Sequence, residues 1–201
     1  MNLAIHMLTY NGATAFIREA IGSVYAWSNE IRVYDTGSTD NTVDLIRKEF
    51  PRVILSEYPI QHLGQTWTES AKDIELTRLL NQLIDETAAD WILKIDDDEI
   101  FPNGLMKEIM NIEDEILIQK SPIYSIPFLH VGGKEYRHHL IKRLFKKCTE
   151  VRWKGIYGNE SLALNGARVR SHKVPMLMNN FYHLGGLSPF IDNRQHDYSS
   201  L

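Results

Sequence analysis

Short apolar runs alternate with segments of helical periodicity through the first hundred residues, and this alternation constrains the fold of the chain strongly. Each apolar run is predicted to be a β-strand. The runs are Asn2 to Tyr10, Glu30 to Asp35, Arg52 to Glu57 and Trp91 to Ile95. Strands that alternate with helices form a mostly parallel sheet covered by helices on both faces. We therefore expect a Rossmann-like α/β fold that binds its ligand at the carboxyl ends of the strands.

The pattern changes after about residue 120 to short strands, such as Tyr124 to His130 and His139 to Phe145. Glycines interrupt them at Gly132-Gly133 and at Gly155. No internal repeat and no long Pro/Gly linker marks a second independent domain. The sequence predicts a single domain over 1–201, whose β-rich second half extends the first sheet and covers its ligand cleft.

Composition limits the class of protein. The chain has 201 residues, 43% hydrophobic and 24% charged, as expected for a globular domain without long disordered tails. The net charge of -4 gives no overall attraction to nucleic acid or to anionic membranes. A lone cysteine, Cys148, fits a reducing compartment, so we expect a cytoplasmic protein. No signal peptide is evident at the first residues, and no apolar run approaches the ~20 residues that cross a bilayer.

Four carboxylates, Asp96 to Glu99, directly follow the predicted strand Trp91 to Ile95. Neighbouring carboxylates repel one another unless a cation is present, and oxygen ligands favour Mn²⁺ or Mg²⁺. Such ions usually keep positions open for substrate phosphates, which points to a nucleotide diphosphate. A solvated acidic turn is the alternative. A calcium loop is excluded because Ile100 stands where an oxygen ligand is required.

Polar residues also end the first two strands. Thr9, Tyr10 and Asn11 end the first, and Asp35 ends the second. Because the carboxyl ends of parallel strands meet at one edge, these residues are expected to converge beside the acidic run and to bind a base and ribose. Taken alone, Asp35 is also typical of turn or helix-cap chemistry.

Three segments in this order, Thr9 to Asn11, Val33 to Asp40 and Trp91 to Glu99, resemble the GT-A-fold inverting glycosyltransferases. The resemblance is to the branch with bacterial lipopolysaccharide-core glycosyltransferases, and it extends over nearly the whole chain. It implies a nucleotide-sugar-binding half at 1–100 and an acceptor half at 101–201. It also implies transfer of a sugar from a nucleotide diphosphate donor to an acceptor hydroxyl with inversion.

The same resemblance implies roles in the donor site. Asp98 binds the Mn²⁺ or Mg²⁺ ion that bridges the diphosphate, and His183 is a second metal ligand. Arg78 resembles the family's helix arginine, although Leu79 replaces the asparagine expected beside it. The donor-binding residues implied are Thr9, Tyr10, Asn11, Asp35, Arg78, Asp96 and Asp97.

The segment from Arg143 to Glu160 resembles the family's acceptor-side segment, which ends in a His-Glu pair. Glu160 is the implied catalytic base, since inversion by direct displacement requires a carboxylate that takes the hydroxyl proton. Asn159 stands where the family usually has histidine. Trp153 lies within this segment and is a candidate for stacking on the substrate, or else for packing in the core.

The acceptor is the open question, because a fold fixes donor chemistry better than acceptor choice. A bacterial surface glycan or lipopolysaccharide-type saccharide is the main hypothesis. The basic run Arg137 to Lys147 contains no acidic residue and raises an alternative, the hydroxylated bases of phage DNA. Two further alternatives remain, a non-catalytic nucleotide-sugar or carbohydrate-binding module and a nucleotidyltransferase.

Overall fold

The computed structural model of the protein describes residues 1–60, 69–112, 121–131, 138–155 and 161–184, with 69–73, 138 and 139 described by their backbone alone. The α-helices in these ranges are α1 (Ile17–Tyr25), α2 (Thr42–Glu49), α3 (Glu69–Glu86) and α4 (Asn103–Asn111). The strands are β1 (Leu3–Thr9), β2 (Glu30–Asp35), β3 (Val53–Glu57), β4 (Trp91–Ile95), β5 (Glu99–Ile100), β6 (Ile123–His130), β7 (His138–Lys146), β8 (Val151–Lys154), β9 (Ser161–Leu164), β10 (Ala167–Arg168) and β11 (Phe181–His183).

Most of these strands form one mixed sheet in the order β3-β2-β1-β4-β7-β6-β11-β5. The first four are parallel neighbours, β7 runs antiparallel to both β4 and β6, and β11 runs parallel to β6. Strands β1, β2, β4, β6 and β11 therefore point the same way. Their carboxyl ends all lie at one edge of the sheet, which is where the candidate site is found.

The core has one layer on each face of this sheet. Strand β1 is buried at every residue because it lies between β2 and β4 and is covered on both faces. Its Leu3, Ile5 and Met7 join the layer beneath α1, α2 and α4. Its Ala4 and Leu8 join the layer beneath α3 and the small antiparallel sheet β10-β9-β8.

The predicted fold is confirmed. The four apolar runs of the first half are the parallel strands β1 to β4, and β6, β7 and β11 extend the same sheet. The other strands after residue 120, β8, β9 and β10, form a separate antiparallel sheet instead. Strand β7 is longer than predicted by one residue at each end. No helix in the described ranges is long and apolar enough to cross a membrane.

Candidate functional site

The ends of β1 and β4 are joined by a direct hydrogen bond. The hydroxyl of Thr9 donates to Oδ2 of Asp97 over 2.6 Å. The carbonyl oxygen of Thr9 accepts two bonds of 2.9 Å from Thr36, one from its amide and one from its hydroxyl, which tie in the end of β2. The convergence predicted for these strand ends is therefore present, and it brings the acidic run beside the β1 loop.

Asn11 organises the loop after β1. It adopts the left-handed backbone conformation (φ 56°), which asparagine tolerates better than most residues. Its amide donates to Oγ of Ser38 over 2.8 Å, and its side-chain oxygen accepts the amide of Thr39 over 2.8 Å. The neighbouring Tyr10 is 41% exposed, so its ring is available to a ligand at this edge.

Asp35 is buried and holds the turn after β2. One carboxylate oxygen accepts the amides of Gly37 and Ser38 at 2.9 and 2.8 Å, and the other accepts the hydroxyl of Ser38. This is the turn chemistry that the sequence offered as an alternative for an isolated aspartate. Through Ser38 and Asn11, the Asp35 turn is bonded to the loop after β1.

Gly12 marks a close approach beneath the site. A Cβ atom at this position would lie 2.5 Å from the hydroxyl of Thr9 and 3.0 Å from Oδ2 of Asp97. Real Cβ atoms do not approach other atoms this closely, so only glycine fits without moving the Thr9–Asp97 pair.

Asp96 lies between two buried cations. Its carboxylate pairs with Nζ of Lys94 at 2.5 Å and with the guanidinium of Arg143. Burial raises the pKa of Asp96, but the charges of Arg143 and Lys94 outweigh that effect and hold the pKa below its usual range. Asp96 is therefore ionised, and its orientation is fixed from β4 and β7 together.

Glu99 is a buried member of this network, and it bonds both Asp96 and Arg143. It is 2% exposed, accepts the amide of Asp96 over 2.8 Å and accepts Nη2 of Arg143 over 2.7 Å. Burial raises the pKa of Glu99, although the guanidinium of Arg143 acts against that shift. Glu99 is thus a support for the acidic turn and is not presented to a ligand.

Asp98 faces His183 across the same edge. Oδ2 of Asp98 lies 3.5 Å from Nε2 of His183, and the backbone oxygen of Asp98 accepts the amide of Leu184 over 2.8 Å. Burial and the negative charge of Asp96 raise the pKa of Asp98 to about 6. Burial lowers the pKa of His183, which keeps its imidazole neutral at pH 7 and able to bind a cation.

These residues fit a divalent cation that is shared with a substrate. In the described ranges, no group of three His, Cys, Asp or Glu side chains is arranged to hold a metal by itself. Asp98 and His183 supply one oxygen and one nitrogen. Mg²⁺ and similar ions are commonly held by one or two protein ligands together with substrate phosphates and water. The chemistry of this pair agrees with such an incomplete site.

Two predicted substrate-binding residues make other contacts in the structure. Arg78 is exposed on α3 and bonds Glu75 and Gln82, and none of its bonds within the described ranges is to the acidic run. Trp153 is 4% exposed and packs edge-on against Phe145 at 5.9 Å. Of its two predicted roles, this arrangement favours core packing over stacking on a substrate. Glu160, the predicted base, lies outside the described residues.

Sequence reasoning missed Lys94 and Arg143, the two cations that hold Asp96. A signal for Lys94 was available, because it is the one charged residue in the five-residue apolar strand Trp91–Ile95. Arg143 carried no comparable signal, since its role depends on β7 lying next to β4.

The parallel sheet with helices on both faces and the acidic run at the end of β4 define the GT-A class of fold. The chain belongs to glycosyltransferase family 2, since the sequence model of "Glycosyl transferase family 2" matches residues 4–116. The resemblance to GT-A-fold glycosyltransferases noted from the three sequence segments is confirmed.

Individual relatives agree with this membership. The SPbeta prophage-derived glycosyltransferase SunS of Bacillus subtilis (strain 168) is 25% identical over 192 residues, and the match covers 93% of this chain. The chain spans only 40% of the length of SunS. The crystal structure of S. aureus TarS matches with a TM-score of 0.61 and 13% identity, covering 92% of this chain and 37% of TarS. TarS 1-349 in complex with UDP matches with a TM-score of 0.50 and 20% identity, covering 67% and 38% respectively.

Proposed function

We propose that this protein transfers a sugar from a nucleotide diphosphate donor to an acceptor hydroxyl, with Mn²⁺ or Mg²⁺ bound at Asp98 and with inversion at the sugar. The observation that carries the proposal is the convergence of strand ends in a family 2 chain. The Thr9–Asp97 bond and the Asp98–His183 pair lie at the edge of the sheet where parallel α/β folds bind ligands. We further propose that 1–100 form the donor half and 101–201 the acceptor half of one domain.

The donor is proposed to bind along the ends of β1, β2 and β4. Tyr10 offers an exposed ring beside the Asp35 turn, and Asp96 offers an ionised, fixed carboxylate for a ribose hydroxyl. A UDP-sugar is the donor to test first, because TarS, which shares this fold, was crystallised with UDP. Arg78 is also proposed to contact the donor, because it is exposed and its bonds are to side chains of its own helix.

Asp98 and His183 are proposed to hold the metal ion. When bound, the ion supplies Lewis-acid stabilisation of the charge that develops on the departing diphosphate. Asp98 contributes an oxygen ligand and His183 a neutral nitrogen. Lys94 and Arg143 do not touch the donor in this proposal, since both are buried beneath Asp96 and keep that carboxylate ionised and in place.

Glu160 is proposed to take the proton of the acceptor hydroxyl as the acceptor oxygen attacks the sugar from the side opposite the diphosphate. A single displacement of this kind inverts the anomeric configuration and needs no covalent sugar intermediate. This assignment rests on the position of Glu160 at the end of the segment that resembles the family's acceptor side.

The acceptor is proposed to be a saccharide of the bacterial surface, and the charge of the second half favours one that carries negative groups. Segment 161–184 contains no Asp or Glu. Its Arg168, Arg170 and Lys173 are exposed, and Lys142 of β7 reaches the same surface, where its Nζ lies 3.3 Å from Oγ of Ser171. The hydroxylated bases of phage DNA are the other polyanionic acceptor to include in an acceptor screen.

The first test is release of nucleotide diphosphate from a panel of nucleotide sugars with Mn²⁺ or Mg²⁺. We expect release from one donor, abolished by a chelator and by Asp98→Asn. The matched control is Asp90→Asn, which changes an exposed aspartate at the opposite end of β4 and is expected to retain activity. If no donor is turned over and none binds in the presence of metal, the proposed transferase activity is refuted, and a non-catalytic carbohydrate-binding module becomes the alternative to test.

A second test addresses the base and the stereochemistry, once a donor and an acceptor are known. Glu160→Gln is expected to lower kcat by about 100-fold or more, the usual contribution of a general base. Glu150→Gln, at an exposed position before β8, is the matched control. Proton NMR of the first product gives the anomeric configuration, and a product with the donor's configuration would contradict the single-displacement mechanism.

A further inference from the structure

Two histidines distant in sequence are placed side by side by strand pairing. His130 ends β6 and His183 ends β11, and the parallel register of these strands sets the two residues opposite each other. The amide of Val131 donates to the carbonyl oxygen of His183 over 3.0 Å, which extends the ladder past both residues. Register partners on neighbouring strands direct their side chains to the same face, so strand pairing itself places the two imidazoles next to each other.

The contact between the two rings is a specific one. Nδ1 of His183 lies 2.9 Å from Nδ1 of His130, and the rings meet edge-on with their centroids 4.5 Å apart. At this distance one nitrogen carries the proton and the other accepts it. The second nitrogen of His183, Nε2, is the atom that faces Asp98.

A cation at Asp98 decides which ring donates. An imidazole that binds a cation through Nε2 has its own proton on Nδ1. In His183 that proton points at Nδ1 of His130, which then accepts it and carries its own proton on Nε2. Without a cation the reverse pair of tautomers places a proton on Nε2 of His183, facing Asp98. The pair thus satisfies both states without moving either ring.

Packing keeps the two rings in this arrangement. The ring of Phe128 lies 5.2 Å from that of His130 and 6.1 Å from that of His183, and it also stacks on Phe181. His183 itself is only 26% exposed. A hydrogen bond in such a partly apolar setting is stronger than one in water and restricts the rotation of the His183 ring.

We propose that His130 is a positioning residue for the metal site: it accepts the Nδ1 proton of His183 and so directs the Nε2 lone pair of His183 at the cation held by Asp98. This inference rests on the proposed metal-dependent function. Outer partners of metal-binding histidines commonly set the ring orientation and tautomer in this manner. His130 does not touch the cation or the donor.

The test compares metal binding in three variants at His130, measured by calorimetry with Mn²⁺ and with Mg²⁺ in the presence of UDP. His130→Leu removes the acceptor and is expected to weaken Mn²⁺ binding by about 10-fold or more. His130→Asn is expected to bind Mn²⁺ nearly as well as the parent, because its side-chain oxygen stands where Nδ1 stood. His130→Gln places its polar atoms further out and is expected to resemble the leucine variant.

Metal preference separates positioning from general damage to the fold. A nitrogen ligand favours Mn²⁺ over Mg²⁺, so misdirecting His183 should reduce Mn²⁺ affinity more than Mg²⁺ affinity. A variant that merely loosens the protein would weaken both equally. If His130→Leu lowers both affinities in parallel, or lowers neither while His183→Ala lowers Mn²⁺ affinity, the positioning role is refuted.

A measurement on the unaltered, metal-free protein covers the case in which the variants do not fold. Scalar coupling between the two Nδ1 atoms in ¹⁵N NMR reports the hydrogen bond directly, and its absence would overturn the inference. Metal binding by the parent protein tests the proposed metal-dependent function separately, and that function is refuted if the parent binds no metal. If the coupling is present but the parent binds no Mn²⁺ with UDP, both the metal-dependent function and the positioning role are refuted and the histidine pair is structural.

Discussion

Removal of Arg143 is the sharpest test of how the acidic turn is held. The guanidinium is 6% exposed and bonds Asp96 and Glu99, whose side chains are 25% and 2% exposed. In Arg143→Leu, both carboxylates lose the guanidinium, and Asp96 keeps its pair with Lys94. Removing one partner from a buried ion pair costs about 3–5 kcal/mol, and the partial exposure of Asp96 favours the lower end.

A loss of about 3 kcal/mol corresponds to a melting temperature about 6–12 °C lower for a chain of this size. Urea denaturation followed by circular dichroism measures the free energy of unfolding directly. The matched control is Arg18→Leu, which breaks a bidentate pair with Glu49 at a surface where Arg18 is 56% exposed. Exposed pairs contribute little, so the control is expected to leave the melting temperature nearly unchanged.

The loss should also depend on pH in a defined direction. In the parent protein the pKa of Asp96 is held low, so its pairing stabilises the fold above the pKa of the unfolded chain and is lost as the pH falls. Without Arg143 the pKa values of Asp96 and Glu99 rise. The variant should therefore be most impaired near pH 7.5 and closer to the parent near about pH 4.5. A loss below about 1 kcal/mol, or one independent of pH, would refute the reasoning.

Three further predictions concern single residues. Gly12→Ala should abolish donor binding, measured by calorimetry, because the added Cβ displaces the Thr9–Asp97 pair. The control Gly22→Ala adds its Cβ in open space and should instead stabilise α1 by about 0.5–1 kcal/mol. Burial lowers the pKa of His6 to about 3, whereas an unfolded histidine has a pKa near 6.5, so the folded protein loses stability as the pH falls below 6.5. The parent should lose about 2 kcal/mol of unfolding free energy between pH 7.5 and 5, and His6→Val should not lose it. Urea denaturation at several pH values measures this, and equal pH dependence in parent and variant would contradict it. Asn81→Leu should lower the free energy of unfolding by about 1–3 kcal/mol, because the side chain of Asn81 pairs with both backbone groups of Trp153; an unchanged urea midpoint would contradict this.

The first half of the fold was predictable because each parallel strand is a short apolar run whose burial is set by its own residues. The site at the strand ends followed from the same pattern, since Thr9 and the acidic run stand directly after their strands. The resemblance to a known family then supplied proposed roles that spacing alone does not give, such as that of Asp98 as a metal ligand.

Other parts depend on which distant strands become neighbours. Arg143 reaches Asp96 because β7 pairs with β4, and His130 meets His183 because β6 pairs with β11. Pairing between strands that are many residues apart leaves little trace in a single sequence. The burial of Trp153, by contrast, follows from its own strand, in which buried and less buried residues alternate. This alternation places Trp153 on the buried face with Val151.

The contacts that assemble the site close long loops. Thr9 and Asp97 are 88 residues apart, and His130 and His183 are 53 apart. Such non-local contacts form only after the entropy of closing those loops has been lost, and proteins that depend on them fold slowly. Donor and metal would then bind only molecules in which both loops have closed, so saturating ligand should slow global unfolding and not just order the nearest turn. Ligand binding at this edge would therefore report that both pairs of distant segments have come together.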